Sequence, residues 1–169
     1  MKTLLFILLC SLCSRGASAQ LSPADEKAIR AVTAHFLANL NDHRFEEMRT
    51  YTTPTVSMVN VMGVAMHGQA EVIQGYQRLF DALYKGVPFR QSDEVVRAVS
   101  PDAAVVSSIA NRGPAPSDSV KIGATLQRQG AQRTLFLVKH QGHWLIAAAQ
   151  ATQIDATAIK MATAAIRKK

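Results

Sequence analysis

The stretch VSMVNVMGVAMHGQAEVIQGYQRLF, residues 56–80, decides the fold because its apolar spacing changes partway along it. Up to Gly68 the stretch is rich in valine and methionine and is interrupted at Met62-Gly63, which predicts two strands joined in a hairpin. Over residues 70–84 apolar side chains recur at helical spacing, which predicts a helix with one broad apolar face. That face consists of Val72, Ile73, Tyr76, Leu79, Phe80 and Leu83.

Two further helices are predicted before this hairpin. Ser22, Pro23 and Asp25 are typical of a helix start, with the serine as N-cap and the proline in the first turn. A shorter helix is predicted over residues 45–51, and Pro54 ends it. The apolar stripe of the first helix consists of Ile29, Val32, Phe36 and Leu40.

Strand patterns separated by turn residues fill the second half of the chain. Helices first and a meander of strands last is the α+β arrangement, in which about three helices pack on one face of an antiparallel sheet. We therefore predict one α+β domain over residues 20–154 and a basic, alanine-rich tail over residues 155–169. The predicted strands span residues 89–99, 103–111, 122–128, 134–139 and 144–152, with turns or loops at 100–102, 113–119, 129–130 and 141–142.

Residues 1–19 have the pattern of a secretory signal peptide. Lys2 precedes an apolar run over residues 4–12, and Ala17-Ser18-Ala19 forms the small-residue site at which such segments are cleaved. A spanning helix needs roughly 20 apolar residues, so this run is too short to remain as a membrane anchor. We expect cleavage between Ala19 and Gln20, and export to the periplasm or the extracellular medium.

Both cysteines of the chain, Cys10 and Cys13, lie in this segment. Lipidation of either cysteine is the alternative fate, but each follows a leucine where a small residue is expected before a lipidated cysteine. Cleavage of the segment leaves a mature chain without disulfides. A domain of roughly 150 residues is large enough to fold by packing alone.

The charge of the chain is mildly basic, with 19 Lys and Arg residues against 12 acids. Basic residues are scattered among the acids except at the end, where Arg167, Lys168 and Lys169 form a short cluster. The chain has one tryptophan and no interleaving of basic and aromatic residues. Nucleic acid is therefore not an expected partner.

Several features occur in an order that resembles the SnoaL-like branch of the nuclear transport factor 2 and ketosteroid isomerase superfamily. They are Asn60, Gly63 and Gly68, the helix that runs to Phe80, and the closing GHWLIAAAQATQI. The nearest pattern is that of the SgcJ/EcaC proteins, and the resemblance covers residues 24–154. It implies a curved sheet wrapped around the helices as a cone, an apolar pocket at the open end, and a homodimer formed through the sheet. Members include isomerases, cyclases, dehydratases and binding modules, so the fold leaves the activity open.

Two positions depart from what the resemblance implies for an enzyme. Enzymes of the superfamily commonly place a carboxylate or a histidine inside the cone. This chain has Ser57 where relatives often have an acid, and Tyr76 where many have a histidine. The usual proton carriers are missing at these positions, which favours binding over catalysis.

Polar residues near the hairpin and the third helix are the first candidates for a site. His67 is either a donor or base at the pocket rim or a strand-end histidine in solvent. Tyr76 either offers its hydroxyl to the pocket or packs with a wetted tip. Asn60 and Asn111 lie in strands, where they orient a ligand if their amides point inward and are solvated if they point outward.

The last strand alternates between two faces. We predict that the face of Trp144 is concave, which also places Gln150 in the pocket. The opposite face is rich in alanine and flat, as suits a sheet that pairs with its twin. The predicted concave face consists of Trp144, Ile146, Ala148, Gln150 and Thr152, and the other of Leu145, Ala147, Ala149 and Ala151.

No metal or cofactor is expected. His140 and His143 flank the Gln141-Gly142 turn and face each other across a hairpin, but a metal site needs three or four ligands. The chain carries no nucleophilic-serine motif, no phosphate-binding glycine loop and no zinc-protease motif.

Three hypotheses follow. The first is an exported domain that binds a small apolar or amphipathic molecule in its cone. The second is an isomerase, cyclase or dehydratase in which His67 or Tyr76 moves a proton and Asn60 or Gln150 stabilises an oxyanion. The third is a dimeric interaction module whose own side chains fill the cone.

Overall fold

The computed structural model describes residues 20–113 and 130–167, and it shows helices packed on one face of a six-stranded sheet. The strands are β1 (Thr52–Val59), β2 (Ala65–His67), β3 (Phe89–Ser100), β4 (Ala103–Arg112), β5 (Ala131–His140) and β6 (His143–Gln153). The helices are α1 (Pro23–Asp42), a 3-10 turn (Phe45–Glu47) that runs into α2 (Met48–Tyr51), α3 (Gly68–Leu83) and α4 (Ala156–Ile166).

The strands lie in the order β2-β1-β6-β5-β4-β3, and the predicted α+β fold with a curved sheet is confirmed. The pairings between the described strands are antiparallel except for that of β1 with β6, which is parallel. The parallel pair departs from the purely antiparallel sheet that we predicted. Because a long stretch of chain separates β1 from β6, their connection does not force them to run in opposite directions.

The predicted helices and strands in the described residues are present, with shifts of a few residues at their ends. The strand predicted over residues 122–128, and most of the predicted loop before it, lie outside the described residues. The alanine-rich tail forms α4, and all of its residues are exposed. In the part of the chain that the structure describes, no helix is long and apolar enough to cross a membrane.

Helix α1 begins as its sequence predicts. The Ser22 side chain accepts a hydrogen bond from the Asp25 backbone N–H at 3.0 Å, which satisfies one of the free amides at a helix start. The helix ends at His43, which adopts a left-handed conformation (φ 55°). Its apolar stripe is buried against the sheet at Ile29 and Phe36, so α1 forms one side of the core.

The switch from hairpin to helix occurs at Gly68, which has a φ of 75°. A side chain strains the backbone in this left-handed region, so a glycine is favoured where β2 turns directly into α3. Met58 and Met66 pair across the hairpin and are both buried, and the Met66 side chain fills the space beside Gly75 of α3. The opening stretch thus folds onto itself as a hairpin covered by its own helix.

Strand β6 contains one extra residue relative to β5. Phe136 pairs with Ala148, but the next residue, Leu137, pairs with Ile146. Ala147 is therefore a β-bulge, and the alternation of inner and outer faces along β6 reverses at this point.

Because of this bulge, the predicted concave face is wrong for the residues after Ala147. Before it, Trp144 and Ile146 are buried, as expected. After it, Ala149 is buried and Gln150 is exposed, so the placement of Gln150 on the inner face was wrong. Strict alternation failed because one inserted residue changes the side to which every later residue points.

The inner face of the sheet and the two long helices enclose one core. Val106, Leu135 and Ile146 of neighbouring strands are fully buried there. Removing each such side chain from water contributes about 1.5–3 kcal/mol. Near the end of β4, the start of β5 and the end of β6, the side chains leave a cavity.

Candidate functional site

A cavity of about 70 Å³ lies between α1, α3 and the inner face of the sheet. Apolar side chains form most of its wall, with Phe36 and Leu40 from α1 and Phe80 from α3. Small residues on the strands, Ala110 and Ala151, leave the space open. We call this space the cone cavity.

One wall of the cone cavity carries a buried cation, Arg133 of β5, which is only 4% exposed. Its guanidinium lies 5.1 Å from the centre of the Phe36 ring. Its Nη2 atom donates a hydrogen bond to Oε1 of Gln91. Within the described residues, its Nε and Nη1 atoms have no hydrogen-bond partner. A guanidinium with unpaired N–H groups away from water is costly, which makes this residue unusual for a core.

Gln91 connects Arg133 to the nearest carboxylate. The amide nitrogen of Gln91 donates to Glu94. Glu94 also accepts hydrogen bonds from Thr33 Oγ1 and Arg30 Nη1, both at 2.7 Å. Asp93 adopts a left-handed conformation (φ 53°) at an irregularity of β3 before Glu94. Glu94 is thus held by α1 and reaches Arg133 only through an amide.

Burial shifts the pKa values of two side chains near the cavity. It lowers the pKa of Arg133 because the charged form loses its hydration. It also raises the pKa of Tyr76 to about 12, and the positive charge of Arg133 opposes this rise. The Tyr76 ring packs against Phe36 and Phe80 behind the cavity wall. At neutral pH its hydroxyl keeps its proton, so it is a hydrogen-bond donor and not a base.

Ser108 of β4 is a second polar group in this region. It is 1% exposed, and its Cα is paired with that of Arg133 across the strands, so both side chains lie on the inner face. Among the described residues, its hydroxyl has no hydrogen-bond partner. Arg133 and Ser108 thus share a small buried region in which hydrogen-bonding capacity is unused.

Asn60 is buried and lines the cone cavity. Its side-chain oxygen accepts hydrogen bonds from the backbone N–H groups of Met62 and Val64, at 2.9 and 3.0 Å. The oxygen therefore shapes the turn between β1 and β2. The role of the Asn60 amide in ligand binding stays a prediction, and only its nitrogen remains for it.

Trp144 is buried on the inner face but at the other end of the strand. Its Nε1 atom donates to Asp25 at 2.8 Å, and the Lys139 ammonium lies 2.7 Å from the same carboxylate. Hydrogen bonds from Lys139, Trp144 and Ser22, in that order of effect, lower the pKa of Asp25 to about 2. Trp144 thus links β6 to the start of α1 and is absent from the wall of the cone cavity.

The remaining predicted site residues lie outside the cone cavity. His67 is exposed, and its Nδ1 atom lies 3.1 Å from the Ser57 hydroxyl. Asn111 is exposed and donates to the Ser92 hydroxyl. Gln150 lines a shallow hollow on the outer face with Ser57. The structure therefore brings Asn60 to the cavity and leaves these three residues in solvent.

The two histidines of the last hairpin pair across its turn, as predicted, and both are exposed. Across residues 20–113 and 130–167, no group of three or more histidine, cysteine, aspartate or glutamate side chains is placed to hold a metal ion.

Sequence reasoning missed Arg133, although the strand carried a signal for it. Along β5, Ala131, Arg133, Leu135 and Leu137 have the same parity and are all buried. An arginine in register with buried leucines indicates a charged group that points into the core. The predicted strand began at Thr134, so Arg133 fell outside it, whereas the observed strand begins at Ala131.

Residues 29–155 match the sequence model of the SnoaL-like domain family. The chain belongs to the SnoaL-like family. The resemblance to this branch of the superfamily is thereby confirmed. No curated protein matches the chain in sequence.

Solved structures similar to this SnoaL-like protein share its fold at low sequence identity. One is an uncharacterised protein with a cystatin-like fold from Caulobacter vibrioides, with TM-score 0.73 and 18% identity, covering 83% of this chain and 97% of that one. A cystatin-like protein of unknown function from Nostoc punctiforme has TM-score 0.67 and 18% identity, covering 81% and 96%. A proposed dehydratase of the nuclear transport factor 2-like family from Streptomyces avermitilis has TM-score 0.63 and 20% identity, covering 79% and 98%.

Proposed function

We propose that this SnoaL-like domain binds a small amphipathic molecule in its cone cavity. The observation that carries the proposal is a cavity with apolar walls and one buried guanidinium. Binding sites for small molecules are typically concave and mostly apolar, with a few polar groups that orient the ligand. Arg133 is such a polar group, and the aromatic rings of Phe36 and Phe80 are the apolar surface.

The size of the cavity limits what enters it. Its volume of about 70 Å³ is well below the roughly 300 Å³ at the lower end of typical ligand pockets. We expect a small ligand, or only the end of a larger one, to occupy it. The presence of a cavity also supports this proposal over the filled-cone hypothesis, in which no molecule enters the core.

The enzymatic alternative receives less support from the geometry. His67 lies outside the cone cavity, and a base must reach the proton that it removes. The pKa of Tyr76 is about 12, so its hydroxyl is protonated at neutral pH and is a poor base. The proposed dehydratase from Streptomyces avermitilis shares the fold with this chain, but fold alone does not carry a reaction.

A cavity-filling variant tests binding. Ala151 lines the cone cavity, whereas Ala148 lies on the outer side of the same strand, so Ala151→Leu and Ala148→Leu form a matched pair. We expect small amphipathic compounds to raise the melting temperature of the wild type and of Ala148→Leu, because they bind only the folded state. Ala151→Leu should lose this response. Equal responses of the two variants would place binding elsewhere, and no response of the wild type to any compound would favour a filled cone.

We also propose that the protein is exported, with cleavage between Ala19 and Gln20. The charged start, the apolar run and the small-residue site of residues 1–19 support this proposal. N-terminal sequencing of the protein recovered from the periplasm or medium should begin at Gln20. A product that retains Met1 would contradict it.

The expected homodimer through the sheet stays a proposal as well. Its support is the outer face, where Phe136 and Val95 are 36% and 59% exposed. Charged residues on such a face oppose pairing, so Phe136→Glu should lower the mass measured by light scattering from dimer to monomer. A wild type that is monomeric at all tested concentrations would rule out this dimer.

A further inference from the structure

The described part of the wall of the cone cavity contains arginines and no acid. Among the described residues of its wall, Arg112 and Arg133 are the charged ones, and neither Asp nor Glu is present. Arg112 donates a hydrogen bond to the Tyr84 hydroxyl at 3.2 Å. Arg133 is more deeply buried, and its only described hydrogen bond is to an uncharged amide, that of Gln91.

The arrangement around Glu94 shows why Arg133 stays unpaired. Glu94 is the acid nearest to it in the hydrogen-bond chain, but both carboxylate oxygens are occupied by groups from α1 and by Gln91. Gln91 therefore fixes one side of the guanidinium, while Nε and Nη1 have no acceptor among the described residues. The cation is held in position, and no carboxylate of the described residues bonds to it directly.

A buried cation without a partner destabilises the folded chain, and a negative group that enters the cavity removes this penalty. Carboxylates match the guanidinium in shape and form charge-assisted hydrogen bonds with it. Apart from Asn60 and Arg112, which donates to Tyr84, the rest of the wall is aromatic and aliphatic, which suits an apolar body. The Ser108 hydroxyl, unpaired among the described residues and in register with Arg133, is a further donor on the same face.

We propose that the cone cavity recognises a small apolar monocarboxylic acid, whose carboxylate pairs with Arg133 while its hydrocarbon part contacts Phe36 and Phe80. This inference rests on the proposed function and adds the chemical class of the ligand. It assigns Arg133 as the residue that determines specificity.

The test compares acids with their uncharged amides in the purified protein. Acetate, butyrate, hexanoate and benzoate are titrated against acetamide, butyramide, hexanamide and benzamide, with inorganic phosphate as a separate arm. Proton–nitrogen correlation spectra follow the Nε–H signal of Arg133 and the backbone amides of Ala110 and Ala151. The Arg133 signal reports directly on the proposed ion pair, and the two alanines report on occupancy of the cavity.

We expect at least one of the longer acids to bind about tenfold or more tightly than its amide, and to move the Arg133 signal. In Arg133→Met this preference should disappear while the amide still binds, and Arg133→Lys should keep part of it. The exposed Arg97 on β3 provides the control, since Arg97→Met should bind as the wild type does.

The other outcomes distinguish failure of this inference from failure of the proposed function. If acids and amides both move the alanine signals with equal affinity, the cavity binds small molecules but the carboxylate inference is wrong. If none of the probes moves the alanine signals, the proposed function fails and the inference fails with it. If phosphate moves the Arg133 signal as strongly as benzoate does, the cavity takes any small anion and the apolar-acid class is overturned. The comparison in the wild type decides these cases even if Arg133→Met does not fold.

Discussion

Strand β5 carries one buried or half-buried cation near each of its ends, and the two have opposite surroundings. Lys139 pairs with Asp25, which also accepts a hydrogen bond from Trp144. Arg133 lies roughly 20 Å away along the strand by its rise per residue. Among the described residues, it has an amide partner and two nitrogen atoms without a partner. We call the first the closed end and the second the open end.

This difference in partners distinguishes a structural cluster at the closed end from a candidate binding site at the open end. At the closed end, the Lys139 ammonium and the Trp144 N–H both have the Asp25 carboxylate of the same chain as their partner. At the open end, the chain holds a cation in place, and the described residues supply no acid that bonds to it directly. Proteins commonly lose stability at sites that are prepared for a ligand, because the missing partner arrives only on binding.

The largest effect is expected from breaking the closed end. Asp25→Ala leaves the Trp144 N–H buried without its acceptor, and an unpaired buried donor costs about 1–3 kcal/mol. Urea unfolding should therefore show a lower free energy of unfolding. Asp42→Ala, on the exposed end of the same helix, is the control and should change it by less than about 0.5 kcal/mol. Equal effects of the two variants would mean that the Asp25 cluster does not hold β6 to α1.

At the open end, a substitution should raise the free energy of unfolding instead of lowering it. Arg133→Met replaces a partly unpaired buried cation by an apolar side chain of similar length, so we expect a gain of about 1 kcal/mol in the free energy of unfolding without ligand. The loss of the contact with the Phe36 ring reduces this gain. Urea unfolding beside the exposed Arg97→Met measures it. A clear loss of stability would show that Arg133 is a satisfied structural residue.

The two ends should also titrate at opposite extremes of pH. The pKa of Asp25 is about 2 in the folded chain against an ordinary 3.8, so its contribution to stability is present above pH 4 and is lost as the pH falls toward 2. The pKa of Tyr76 is about 12 against 10.0, so the folded state loses stability as the pH rises from 10 to 12.

Melting temperatures measured across the pH range test both effects. We call the fall in stability at low pH the acid limb and the fall at high pH the alkaline limb. Asp25→Asn should reduce the slope of the acid limb alone, to which the lowered pKa of Glu47 also contributes. Tyr76→Phe should reduce the slope of the alkaline limb alone, to which the raised pKa of Tyr51 also contributes. If either variant left its limb unchanged, the corresponding group would not be the one that titrates.

The smallest effect is expected on the outer face. Gln150 is exposed, so Gln150→Ala should change the free energy of unfolding by less than about 0.5 kcal/mol and leave ligand binding unchanged. Calorimetric titration with the best acid from the probe series measures the binding. A marked loss of affinity would return Gln150 to the site and place the ligand on the outer face.

The sequence was sufficient for most of the fold and for little of the site. Local signals predicted α1 from Ser22 and Pro23, and the hairpin from Gly63 in its turn and Gly68 at its end. These signals depend on neighbouring residues, which a sequence shows directly. The reversal at Ala147 depends on the register of β6 against β5, which is a tertiary property.

Arg133 illustrates the same limit at the site. Its parity with Leu135 is a signal of burial, but the separation of Arg133 from Glu94 depends on Glu94 being held by α1. His67 and Asn111 were chosen for their chemistry and their strand positions, with a solvated position as the alternative for each, and both lie in solvent. The residue types in a strand indicate possible chemistry, whereas the three-dimensional partners determine which groups remain free.

The most direct test of the open end is the order of melting temperatures of the wild type and Arg133→Met, measured without ligand and with saturating acid. We predict that the variant melts higher without ligand and that the wild type melts higher with it, because only the wild type pairs its cation with the carboxylate. The account is contradicted if the acid shifts both proteins equally, or if the variant melts higher in both conditions.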